Sequence, residues 1–108
     1  MDMRVQKLLY SIGITANYTG YRQMTIALEI ASQEPESLCQ VTKWLYPDTA
    51  RRCGTNWKAV ERNIRTALHR TWKTSQHTLE QMAGYSFNSV PKPAEFLAIL
   101  TKGLSDWN

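Results

Sequence analysis

Apolar residues in this chain recur at spacings of three and four, and no segment sustains an alternation of two. The first spacing gathers side chains on one face of an α-helix, whereas period two is what a half-buried strand requires. Val5, Leu8, Leu9 and Ile12 follow the helical rule, and Gly13 stands where a C-cap would sit. They predict a first helix over about 4–12. Ile14 to Gly20, rich in Thr, Asn and Gly, reads as a loop. A second helix is predicted over about 21–32, with Met24, Leu28 and Ala31 on one face and Ile26 and Ile30 flanking it. Glu34-Pro35-Glu36 opens a third, because proline suits a first helical turn and acids suit the positive end of the dipole. Its apolar face is Leu38, Val41, Trp44 and Leu45. Pro47 should end it, since the missing N–H and the ring clash interrupt the hydrogen-bond ladder.

Pro47 also starts a short helix, Asp48 to Cys53, that stops at Gly54. After Thr55-Asn56, both good N-cap residues, comes the longest helical pattern, from Trp57 to about Lys73. Leu79 and Met82 mark a further helix over about 75–83, with Gly84 as its stop. Tyr85 to Lys92 reads as a loop, and Pro93 begins the last stripe, Phe96, Leu97, Leu100 and Leu104. The expected fold is all-α, with about six helices. With 108 residues the chain has the length of one ordinary domain, spanning 1–108. A hydrophobic share of 43% against 20% charged is that of a globular protein and too apolar for a disordered one. No run approaches the 18 apolar residues of a membrane span, and Met1-Asp-Met-Arg-Val lacks the pattern of a secretion signal. A cytoplasmic protein with no membrane partner is therefore expected, with Cys39 and Cys53 as thiols.

The charge is unevenly placed. Between Arg51 and Lys73 lie seven basic residues, Arg51, Arg52, Lys58, Arg62, Arg65, Arg70 and Lys73, against one acid, Glu61. That segment carries +6, while the other residues hold six bases and eight acids, a net of −2. A localised basic stripe is the electrostatic footprint of nucleic-acid binding, because it displaces condensed counterions from a phosphate backbone. By charge alone, a solvated helix face explains the stripe as well.

The same segment reads as a helix-turn-helix over about 47–73. Ala50 is small where two helices cross closely, Gly54 permits the tight turn, and Val60 closes the contact from the second helix. In that second helix Trp57, Val60, Ile64, Ala67, Leu68 and Trp72 form the inward stripe. Lys58, Arg62, Arg65 and His69, spaced by four, three and four, face outward with Glu61. Such a helix fits the DNA major groove. Arg62 has the fork geometry to bond guanine O6 and N7, and Glu61 can accept from cytosine N4. The alternative for Glu61 is an i,i+4 ion pair with Arg65.

Here the sequence resembles a known family. Leu45-Tyr-Pro-Asp-Thr-Ala-Arg-Arg-Cys53, then Val60-Glu-Arg-Asn-Ile-Arg65 and the later Trp72, are similar to the C-terminal DNA-binding effector domain of the stage-zero sporulation master response regulators. Ile12-Gly13-Ile14, Gly20-Tyr21, Gly84-Tyr85 and Lys92-Pro93 with Glu95-Phe96 extend the likeness over roughly 5–104. The resemblance implies an all-helical domain that binds promoter DNA as paired copies and controls entry into sporulation. Its implied partners are duplex DNA, a second copy of itself and RNA polymerase, and its place is the nucleoid. Glu61 and Arg62 match the family's principal base-reading positions, with Lys58 and Arg65 as further candidates. Arg51, Arg52, Thr55, Asn56, His69, Arg70 and Lys73 are the candidate phosphate contacts. Three departures stand out. Lys58-Ala59 occupies the place of a Ser-Arg pair, the loop after Lys92-Pro93 is about two residues shorter, and the family's receiver domain is not among these 108 residues.

Other chemistries find little support. Cys39, Cys53, His69 and His77 never approach zinc spacing, so no metal or cofactor is expected. Cys53 reads as a small core residue, and neither a catalytic triad nor a phosphate-cradling glycine loop is present. Trp44, Trp57 and Trp72 fall on apolar faces and are expected in the core, with Trp107 exposed near the C-terminus. The last helix, Phe96 to Leu104, is a candidate contact between protomers on DNA as well as plain core. The rival to DNA reading is a helical protein-interaction module that pairs with a full-length regulator.

Overall fold

A glycine makes the first reversal of the chain. In the computed structural model, which describes residues 3–106, α1 (Met3–Ser11) ends at Gly13 with φ of 84°. The Gly13 N–H donates to the Tyr10 carbonyl at 3.0 Å and the Ile14 N–H to the Leu9 carbonyl at 2.8 Å. That pair of bonds closes a Schellman cap, which needs a left-handed residue and therefore favours glycine. Val5, Leu8, Leu9, Ile12 and Ile14 are all buried, as the periodicity predicts.

The other α-helices are α2 (Tyr21–Gln33), α3 (Tyr46–Cys53), α4 (Trp57–Ala83) and α5 (Pro93–Ser105), and no strand occurs among the described residues. The fold is all-α. α2 is the hub: it touches α1, α3, α4 and α5. Met24, Ala27, Leu28, Ile30 and Ala31 make its buried face. α5 lies across α2 and α4 and buries Phe96, Leu97, Ile99, Leu100 and Leu104. Each such aliphatic or aromatic side chain removed from water contributes about 1.5–3 kcal/mol before the cost of ordering it. The apolar stripe of α5 is thus core, and a protomer contact on this helix is left with its outer residues, such as Glu95 and Ala98.

Three expectations need correction. The predicted third helix is a 3₁₀ segment (Pro35–Cys39) followed by a π-helical turn (Val41–Leu45), and Pro47 does not end it. The turn runs straight into α3, with Pro47 in the first turn of that helix. On an α-helical path the Pro47 ring would press on the Lys43 carbonyl. The wider turn, in which the Leu45 N–H reaches the Gln40 carbonyl at 3.4 Å, relieves that pressure. Second, the break expected between 73 and 75 is a kink inside α4 at Ser75 (φ −142°, ψ 31°), not an interruption. Third, Trp57 is 37% exposed rather than core, and Trp44, Trp72 and Cys53 are only half-buried. Trp57 is the first residue of α4, and the first fully buried residue of that helix is Val60. Trp107 lies outside the described residues.

Candidate nucleic-acid interface

α3 and α4 are joined by three residues, Gly54, Thr55 and Asn56. Gly54 has φ of 68° and ψ of 35°, a left-handed conformation in which a side chain is disfavoured. The Thr55 N–H returns to the Ala50 carbonyl at 3.0 Å, closing the end of α3. Asn56 caps α4: its side-chain oxygen accepts the Ala59 N–H at 2.9 Å. Ala50 is 4% exposed and Val60 fully buried, so the small and apolar positions of the predicted motif do face the interior.

The front half of α4 buries Val60, Ile64, Ala67, Leu68 and Thr71 and leaves the opposite side charged. Lys58, Arg62, Arg65 and His69 are exposed along one stripe, as their spacing requires. Arg70 and Lys73 are exposed further along the helix, and Arg51 and Arg52 on α3. Thr55 is half-buried and Asn56 exposed. The structure therefore brings Lys58, Glu61, Arg62, Arg65 and His69 onto one continuous surface. Arg70 lies on a different flank, close enough to the Tyr18 phenol for its charge to act there.

Two of these cations have carboxylate partners. Arg51 donates to Asp48 at 2.6 Å, and Arg65 Nη2 lies 3.9 Å from Glu61 Oε2. The second separation is too long for a hydrogen bond. An exposed helical pair of this kind is worth about 0.3–0.5 kcal/mol, so neither group is withheld from a ligand. Among the described residues the side chains of Arg52, Arg62 and Lys73 form no ion pair. Beneath Glu61 and Arg65 lies Tyr46, 1% exposed. Burial, aided by the Glu61 charge and opposed by the Arg65 charge, pushes its phenol up to about 12. Tyr46 is thus a neutral floor for the charged face.

Sequence reasoning missed what anchors this helix. The Tyr18 hydroxyl donates to the Asn63 carbonyl at 2.7 Å, and the Asn63 amide donates to Gln23 Oε1. Gly20 makes the approach possible: a Cβ there would meet Asn63 Cβ at 2.8 Å and Tyr18 Cε2 at 2.9 Å. Burial raises the Tyr18 phenol, with a Thr66 hydrogen bond and the Arg70 charge opposing. These contacts tie the loop before α2 to the flank of α4. The Gly20-Tyr21 pair is the one visible signal in the sequence; Asn63 gives none, because a polar residue between stripes looks solvated.

Such a molecule is an all-helical domain that presents one basic helix face to solvent behind a short helix and a tight turn. The chain belongs to the sporulation initiation factor Spo0A C-terminal family, whose model matches residues 5–104. It is accordingly a DNA-binding effector domain of sporulation transcription regulation, and the family is one of transcription factors rather than enzymes. No helix among the described residues is long and apolar enough to cross a membrane. Nor do those residues contain a group of three His, Cys, Asp or Glu able to hold a metal ion.

Proposed function

We infer that α3, the Gly54–Asn56 turn and the front half of α4 work as a helix-turn-helix that reads duplex DNA, with α4 in the major groove. The observation that carries this reading is the exposed stripe Lys58, Arg62, Arg65 and His69 on α4, the one strongly basic helix among the described residues. The groove is wide enough for a helix and presents a distinct donor and acceptor pattern for each base pair. Arg62 and Glu61 read base edges, helped by Lys58 and Arg65. Arg51, Arg52, Thr55, Asn56, His69, Arg70 and Lys73 hold phosphates and set the register. Asn56 does so as the cap of α4, at the positive end of the helix dipole.

The 108 residues act in this reading as one non-enzymatic domain on nucleoid DNA in the cytoplasm. Paired copies on adjacent sites and an encounter with RNA polymerase belong to the same reading, supported by the family membership alone. The test is selection from a random pool of duplex DNA at two salt concentrations, with sequencing of the retained fraction. An enriched motif, and affinity falling steeply with salt, are expected. Arg62→Ala should cost about 1–3 kcal/mol at one base pair and relax the preference there. Binding without enrichment would reduce Glu61 and Arg62 to a generic charged face. No binding by the folded domain would favour the protein-interaction module instead.

A further inference from the structure

We propose that Trp57 is a specificity-determining residue of the DNA interface, one that reads the 5-methyl group of a thymine in the major groove. The inference rests on the helix-turn-helix reading above and adds to it an apolar contact.

Trp57 is the first residue of α4, and the N-terminal end of a recognition helix is the part that approaches base edges. The residue is 37% exposed, whereas Trp44 and Trp72 are half-buried and Trp72 packs edge-on against Phe87 at 5.9 Å between ring centroids. Trp57 therefore presents apolar surface at one end of the charged face. On the surface of a helix, residues four apart are neighbours, so Trp57 adjoins Glu61. Lys58 Nζ stands 5.8 Å from the centroid of the Trp57 ring. This cation–π contact holds the indole at the edge of the basic face and adds a positive charge beside it. An aromatic group so placed, flanked by a cation and by a candidate base reader, approaches an anionic surface. The apolar feature that the major groove offers there is the thymine methyl. The inward spacing of Trp57 in the sequence hid this role, because a tryptophan on an apolar stripe normally reads as core.

The experiment compares the selected duplex with versions in which each thymine in turn is replaced by deoxyuridine, which lacks only the methyl group. Binding of the wild-type domain, Trp57→Ala and Trp57→Phe is followed by fluorescence anisotropy of labelled DNA. At one thymine the wild type should lose about fourfold in affinity, the worth of one buried methyl group. Trp57→Ala should bind the two duplexes equally, and Trp57→Phe should keep part of the discrimination. A wild type indifferent to every replacement overturns the proposal without reference to any variant. So does a Trp57→Ala domain that keeps the full methyl preference, or one that loses affinity uniformly for all sequences. If selection yields no motif at all, the helix-turn-helix reading itself fails. A motif that depends on Arg62 but on no thymine methyl removes only the role of Trp57.

Discussion

The two halves of α4 meet at Ser75 and differ in what their outer charged and polar side chains do, although Asn63 in front is tied to Tyr18 and Gln23. In front of the kink, Lys58, Arg62, His69 and Lys73 point to solvent, and the one ion pair among the described residues there, Glu61 with Arg65, is open at 3.9 Å. Behind it, polar groups are committed to the fold. Gln76 Nε2 donates to Glu80 Oε2 at 3.2 Å, and the same oxygen accepts the Phe87 N–H at 3.0 Å. Lys102 Nζ reaches the Met82 carbonyl at 3.3 Å, tying the end of α5 to the end of α4. Both halves bury apolar residues on their inner side, so packing alone does not tell them apart. What differs is where the outer hydrogen-bonding capacity goes. In front of the kink most cations stay in water with no hydrogen-bonded carboxylate; behind it Gln76 and Glu80 hold the loop that follows.

The largest effect that tests this contrast is expected at Gly20. Its added methyl would meet Asn63 Cβ, which is fixed to the backbone of α4, at 2.8 Å. Gly20→Ala should cost about 1–3 kcal/mol of stability, as overpacking does, and should weaken DNA binding too, because the displaced element carries the face proposed to read DNA. Gly103 offers the matched control behind the kink. Its added methyl would meet Leu8 Cδ1 at 3.1 Å and Met82 Sδ at 3.2 Å, the far ends of two flexible side chains. Gly103→Ala should therefore cost less than about 1 kcal/mol, since side chains that give way and a better helix former both soften the change. Urea midpoints for the two variants decide the matter. Equal losses would mean that α4 is anchored no more tightly in front than behind.

A smaller effect separates affinity from stability on the front half itself. Lys73 is exposed, and its side chain forms no ion pair among the described residues. Lys73→Ala should leave the unfolding free energy from urea titration within about 0.5 kcal/mol of wild type. It should weaken binding to all duplexes alike and reduce the dependence of log affinity on log salt by about 1. A sequence-dependent loss would move Lys73 from the phosphate set to the base readers.

How much of this was legible beforehand follows from which interactions are local. The stripe Val60, Ile64, Ala67 and Leu68, the stop at Gly54 and the exposure of Lys58, Arg62, Arg65 and His69 depend on helical periodicity, and the sequence carries that periodicity directly. The family likeness was legible from Tyr46-Pro-Asp and Val60-Glu-Arg, and the match over 5–104 agrees with it. The π turn before Pro47 was not, because a proline signals a break whether or not a wider turn makes room for it. Trp57 was misplaced because periodicity says which way a side chain points, not whether anything stands there to cover it. The Tyr18–Asn63–Gln23 contact spans 40 to 45 positions of chain, and no local pattern announces a bond of that range.

The smallest expected effect lies behind the kink and is read through pH. Hydrogen bonds from the Phe87 N–H and the Gln76 amide, aided by the His77 charge, hold the Glu80 carboxyl below its ordinary value of 4.5. A carboxyl lowered on folding binds its proton more weakly in the native state. Its contribution to stability is thus complete above the unfolded value and is lost as pH falls through the folded one. Glu80 should then help to hold the 85–92 loop at neutral pH and release it in acid. Other carboxylates titrate in the same range, so the informative quantity is the difference between wild type and Glu80→Gln. Comparing urea midpoints at about pH 6 and about pH 3, the variant should lose less than wild type on acidification, because it has no proton to take up at this position. Its DNA affinity at neutral pH should match wild type, since residue 80 stands on the half of α4 whose polar groups serve the fold. Identical acid sensitivity in the two proteins would show that the Phe87 N–H is held as well without the charge. A loss of DNA binding in Glu80→Gln would go further and erase the division at Ser75.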